Sequence, residues 1–81
     1  MLSVQRIRFE TKTRAYGQLS DGTPFEAVKH LGSGRFEIRH PNAIGKARKY
    51  HTLSAKQRAI VAAHPIAMAV RTADIFAGEE V

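Results

Sequence analysis

The sequence predicts an α+β fold: an antiparallel sheet of four to five short strands over about residues 3–53, followed by a C-terminal helical pair over about 54–64 and 65–77 packed on one face. Three observations predict it. Arg35-Phe36-Glu37-Ile38-Arg39 alternates strictly between polar and apolar side chains, the period of a strand with one buried face. Asp21-Gly22 stands between two alternating runs, a hairpin signal. At Ser54 the pattern changes to helix formers, and Ser54-Ala55-Lys56-Gln57 has the form of a capping box.

The elements follow in order. Residues 4–9 are strand-like, but Leu2 and Val4 are out of phase with Ile7 and Phe9, so a bulge near Gln5 or a frayed start is expected. Residues 14–19 and 24–28 form the hairpin arms. A three-residue loop, Ser20-Asp21-Gly22, sets Gly17 opposite Phe25, with Gly22 supplying a positive φ. It also puts Ala15, Leu19, Phe25 and Ala27 on one face, with the Phe25 ring able to cover Gly17. Leu31-Gly32-Ser33-Gly34 is a second turn, and residues 41–45 are a longer loop. Residues 46–53 are a candidate last strand, whose Lys46, Arg48 and Lys49 suit an exposed edge.

Pro65 costs about 3 kcal/mol inside a helix, so two helices meeting at His64 are expected. Gly78 would end the second. That helix carries a stripe of Ile66, Ala69, Val70, Ala73, Phe76 and Ala77, with Met68 and Ile75 lying off it. A helix apolar on more than one side needs more than one cover, which raises a homodimer through Met68, Thr72 and Ile75. The expected core is Ile7, Phe9, Leu19, Phe25, Ala27, Phe36, Ile38, Leu53, Ile60, Val61, Ile66, Val70 and Phe76.

The 81 residues amount to one domain, 1–81. With no cysteine, neither disulfides nor thiolate-bound metals supplement the core. A cytoplasmic location is expected, because small secreted domains usually carry disulfides and the first charge arrives at Arg6, ahead of any apolar run. The longest apolar stretch, 59–70, is broken by His64-Pro65 and falls short of the roughly 20 residues of a membrane span.

Catalytic and metal chemistry find little support. His30, His40, His51 and His64 include no pair at i, i+3 or i+4, so no metal and no cofactor is expected. The serines occupy turn, cap or terminal contexts, and there is no nucleophile elbow or carboxylate dyad, so no enzyme is expected. Gly32-Ser33-Gly34 leads into a strand, the wrong setting for a nucleotide-binding loop.

Charge is the positive signal. The net charge is +6, and residues 1–53 carry ten lysines and arginines against four acids, while 54–81 carry three of each. Arg6 and Arg8 share one strand face, Arg14 and Tyr16 another, and Arg35 and Arg39 a third. Lys46, Arg48 and Lys49 stand beside Tyr50 and His51. The expected function is a non-enzymatic module that contacts nucleic-acid backbone, with little sequence readout, through an arginine-rich sheet face made of Arg6, Arg8, Arg14, Tyr16, Arg35, Arg39, Lys46, Arg48 and Lys49. The alternative is an interaction or inhibitor module docking on an acidic protein surface; a phage-encoded inhibitor of a host defence complex is one example, by size alone. A regulatory subunit with no activity of its own is a third.

Overall fold

The computed structural model describes residues 1–74. A four-stranded antiparallel sheet, in the order β1 (Val4–Thr11), β2 (Arg14–Leu19), β3 (Pro24–Lys29), β4 (Phe36–Arg39), leads through a 3₁₀ helix (Gly45–Lys49) to α1 (Ala55–Ala62) and α2 (Pro65–Thr72). Every strand pairs with its neighbour in the chain. Both helices pack on one sheet face, α1 against β4 and α2 chiefly against β3 and β2. The other face is open.

The β2–β3 hairpin is the centre of the sheet, and its turn sets the register. Gly22, at φ +91°, closes a three-residue loop in which Gly22 N–H donates to the Leu19 carbonyl and Leu19 N–H to the Thr23 carbonyl, both at 2.9 Å. Asp21 Oδ1 accepts from Thr23 N–H at 2.9 Å, the local bond that suits aspartate to turns. Gly17 then lies opposite Phe25 and Ala15 opposite Ala27. With period two along each strand, Ala15, Leu19, Phe25 and Ala27 all reach the helix-covered face and are fully buried.

The first strand is irregular at Gln5, as expected, and again at Glu10. The bulge at Gln5 brings Val4 and Ile7 onto the same face, so both pack against the core. Gly17 is required by this strand rather than only by Phe25. A Cβ at position 17 would collide with the Arg6 carbonyl oxygen of β1.

Leu19, Phe25, Ala27, Leu53, Val61 and Ala67 form the core, flanked by half-buried Leu2, Val4, Ile7, Phe36, Ile38 and Ile60. Burying a side chain such as Phe25 contributes about 1.5–3 kcal/mol. Polar ties fix the helices over this layer. Ser54 and Gln57 complete the capping box, and Gln57 Nε2 also donates to Asp21 Oδ2 at 3.1 Å and Thr23 Oγ1 at 3.2 Å. The cap of α1 is thus tied to the hairpin turn. His64 caps α2 by accepting from Ile66 N–H through Nδ1, with Pro65 in the first turn. Lys29 Nζ donates to the Arg71 carbonyl at 3.0 Å and the Ala73 carbonyl at 2.5 Å, stabilising the negative end of the helix dipole.

Four expectations need correction. Residues 46–53 are not a fifth strand. Gly45 turns the chain at φ +57°, and the following residues close short-range bonds such as Ala47 N–H to the Ile44 carbonyl. The segment has one buried anchor, Leu53, and no alternating apolar set to hold it in a sheet. Phe9 is not core: it is 47% exposed, because an edge strand has a neighbour on one side only. The second helix ends at Thr72 rather than near 77. Its buried positions are Ala67 and Val70, while Ala69 is exposed and Ile66 half-buried, so the stripe is rotated from the expected one and small Ala67 lets the helix approach the sheet. Ile75, Phe76, Ala77 and Gly78 lie outside the described residues.

Candidate functional site

Strand register decides what the open face looks like. One row crosses the whole sheet: Arg8 opposite Tyr16, Tyr16 opposite Glu26, Glu26 opposite Arg39. The next row sets Arg14 opposite Val28 and Val28 opposite Glu37. The arginines predicted to form a bare cationic field therefore alternate with glutamates.

Arg39 Nε donates to Glu26 Oε1 at 2.5 Å and its Nη1 to Glu37 Oε1 at 3.5 Å. Arg35 Nη2 donates to Glu37 Oε2 at 3.0 Å. Arg14 stands 4.0 Å from both Glu10 and Glu26. The side chains of Arg39, Glu26 and Glu37 are only 23%, 13% and 20% exposed, so these pairs are less screened than ordinary surface pairs. Their titration reflects this. The hydrogen bond to Glu26 holds the Arg39 pKa above its usual value. Partial burial works to raise the Glu37 pKa, but Arg39, Arg35 and His30 together outweigh it and hold the carboxyl below its usual range. His30 Nε2 is buried 3.6 Å from Glu37 Oε2, too far for a hydrogen bond.

Arg8 has an aromatic partner instead. Its Nη2 donates to Tyr16 Oη at 3.1 Å, and its guanidinium carbon lies 5.3 Å from the ring centroid. Arg6 has no ion pair among the described residues, and with Arg8, Tyr16 and Gly17 it lines a depression of about 430 Å³ on the first strand.

The 3₁₀ helix presents a different surface. Lys46, Arg48 and Lys49 are exposed and carry no carboxylate partner among the described residues. Lys49 Nζ lies 4.9 Å from the Tyr50 ring centroid. Exposed Ile44 and Tyr50, at 72% and 75%, flank the three cations.

Between this segment and β4 runs a groove of about 420 Å³. Phe36, Ile38, Ala43 and Leu53 supply its apolar lining, and Arg35, Arg39, His40, Arg48, His51 and Arg58 its polar rim. Arg58 Nη1 is held by the Leu53 carbonyl at 3.1 Å. The His40 and His51 rings lie 4.9 Å apart. His40 Nδ1 accepts from Asn42 N–H at 3.1 Å. Burial, and then the charge of His51, hold the His40 pKa below its usual value.

The structure thus divides the nine predicted contact residues. Arg14, Arg35 and Arg39 face carboxylates, Arg8 lies on Tyr16, and Arg6, Lys46, Arg48 and Lys49 have no acidic partner among the described residues. Sequence reading missed Arg58 and His40. Arg58 falls in the charge-balanced C-terminal part, and His40 reads as a residue shaped by Pro41. Only the packing of α1 beside β4 brings them together. Of the predicted oligomer surface, Met68 is 53% exposed and Thr72 is exposed with its hydroxyl donating to the Met68 carbonyl at 3.0 Å; Ile75 lies outside the described residues. Among the described residues no three or more histidines, aspartates or glutamates gather as a metal site would require, and no helix is long and apolar enough to cross a membrane.

No protein-family model matches this chain, and comparison with curated proteins and with solved structures finds no similar protein.

Proposed function

We propose that this protein is a non-enzymatic binding module that contacts the phosphate backbone of nucleic acid through the 3₁₀ segment, extended by Arg48 and Arg58 into the adjoining groove. One observation carries the reading. Lys46, Arg48 and Lys49 project from a single exposed turn beside Tyr50, and none of them has an acidic partner among the described residues. Such a turn releases counterions when it meets a polyanion, and an exposed tyrosine offers a stacking platform for an unpaired base. Direct base readout has little support, since neither α1 nor α2 carries several cations along one exposed face.

The second reading, an interaction or inhibitor module for an acidic protein surface, draws on Ile44. An exposed isoleucine and tyrosine flanking three cations suit a protein interface with an apolar centre and a charged rim. Labelled single- and double-stranded DNA and RNA, titrated from about 50 to 200 mM salt, separate the two. Affinity that falls as a power of salt concentration, and is lost in the Lys46→Gln/Arg48→Gln/Lys49→Gln variant, supports the first. Absence of binding at the lowest salt sinks it and leaves the protein-directed reading.

A further inference from the structure

We infer that the outer edge of β4 is a docking site for an extended acidic peptide segment of a partner protein, which would add to the sheet as a fifth strand. The inference rests on main-chain geometry and not on the affinity of the 3₁₀ segment for nucleic acid.

The ladder between β3 and β4 fixes which groups are free. His30 N–H donates to the Arg35 carbonyl at 2.8 Å, so the pairs His30–Arg35, Val28–Glu37 and Glu26–Arg39 are the hydrogen-bonded ones. The N–H and C=O groups of Phe36 and Ile38 therefore point away from β3. No strand of the described residues pairs with them. Free edges invite strand addition, and proteins usually blunt them. The opposite edge is blunted: β1 is irregular at two places along its length. β4 is regular and opens onto the groove.

Charge selects the occupant. Arg35 and Arg39 flank the free residues along the strand, and Arg48 and Arg58 stand across the groove. Glu37 is the one acid among the groove's lining residues, and it is already paired with Arg35 and Arg39. An added strand thus lies among four arginines, of which Arg35 and Arg39 are already paired and Arg48 and Arg58 have no carboxylate partner among the described residues. Its alternate side chains meet two environments: the apolar wall of Phe36, Ile38 and Leu53, and the arginine side chains of the open face. The chemistry that fits is an extended segment with Asp or Glu alternating with Val or Ile. A second copy of this chain fits poorly. The antiparallel register that engages both free residues of each β4 sets Glu37 opposite Glu37 and Arg35 opposite Arg39.

The test uses the full chain and a labelled ten-residue peptide alternating Glu and Val, with Lys-Val and N-methylated Glu-Val peptides as controls. The inference expects the Glu-Val peptide to bind at least tenfold more tightly than either control and to slow amide exchange at Phe36 and Ile38. Arg35→Gln/Arg48→Gln should weaken it several-fold without removing the N-methylation penalty. Equal binding of the N-methylated peptide would mean charge attraction without strand addition and overturns the inference. So does protection of Phe36 and Ile38 that rises with protein concentration alone, which would make a second copy the occupant, or protection by a dT oligonucleotide and not by the peptide. The Lys46→Gln/Lys49→Gln variant keeps the two ideas apart. It touches no groove residue, so it should weaken oligonucleotide binding and leave peptide binding intact.

Discussion

The open sheet face and the 3₁₀ segment contribute similar numbers of cations to the chain but make different surfaces. On the sheet, register interleaves Glu26 and Glu37 among Arg14, Arg35 and Arg39, so the arginines are held and largely neutralised. On the 3₁₀ segment, Lys46, Arg48 and Lys49 follow one another with no acid paired to them among the described residues. Net charge is a property of composition, whereas the charge a ligand meets is a property of register and local turn. The bare segment is where an anion gains most, because nothing has to be displaced.

The comparison predicts its largest effect in binding. Each phosphate contact to a single strand changes the salt slope by about 0.7, so neutralising three cations should lower affinity on the order of a hundredfold at about 0.1 M salt. The variant Lys46→Gln/Arg48→Gln/Lys49→Gln should show this in a fluorescence titration with a dT oligonucleotide. Its stability should change little, since exposed substitutions away from packed features stay within about ±0.5 kcal/mol each. Arg14→Gln, on the neutralised face, should change affinity far less. Equal losses in the two variants would erase the distinction.

Next in size is Gly17→Ala. The new methyl meets the Arg6 main chain, and overpacking of this kind costs about 1–3 kcal/mol. A urea melt measures it. The displaced strand carries Arg6 and Arg8, not the 3₁₀ segment. Oligonucleotide affinity of the remaining folded protein should therefore persist at low temperature.

Glu26→Gln should separate stability from binding by moving them in opposite directions. Arg39 loses the closer of its two carboxylate partners and keeps Glu37, and a charge-assisted bond of this type contributes about 1.5–3 kcal/mol. With Glu26 neutral, Arg14 and Arg39 have one carboxylate fewer to offset them, so one more cationic charge is open to a phosphate and affinity should rise by up to about fivefold at 0.1 M salt. A melt and an oligonucleotide titration on the same sample test both signs.

Much of the fold was legible because local signals agreed with one another. Asp21-Gly22 marked a hairpin, the need for Leu19 and Phe25 to share one face chose a three-residue loop over a two-residue one, and Ser54 with Gln57 marked the start of α1. The bulge at Gln5 was legible as a break in phase. The 46–53 segment was not. Its residues are compatible with several backbone states, and Gly45 decides between them only once the chain around it is placed. The site was half legible. The cations could be named from composition, but which ones stay free depends on cross-strand partners such as Glu26 beside Arg39, about 13 positions away in sequence, and a residue on each strand must be in register for that pair to form.

The smallest expected effect is on pH-dependent stability, and it divides along the same line. The His40 pKa lies below its usual value, chiefly through burial and then through His51. An unfolded histidine binds its proton near pH 6.5, so the unfolded state takes up the proton first as pH falls. The stability His40 contributes is complete above that value and is lost as pH falls through its folded pKa. Glu37 is also held low, burial being outweighed by Arg39, Arg35 and His30. Its contribution is complete above the ordinary glutamate range and is lost at lower pH, as the folded carboxyl takes up its proton. Urea midpoints should therefore be level above about pH 7 and fall in two steps, the upper belonging to His40 and the lower to Glu37. His51→Gln should shrink the upper step in part, since burial remains. Arg35→Gln should shrink only the lower one, since the charge it removes faces Glu37. A single step moved equally by both variants would mean that His40 and Glu37 titrate as one unit, and the electrostatic distinction between them would fail.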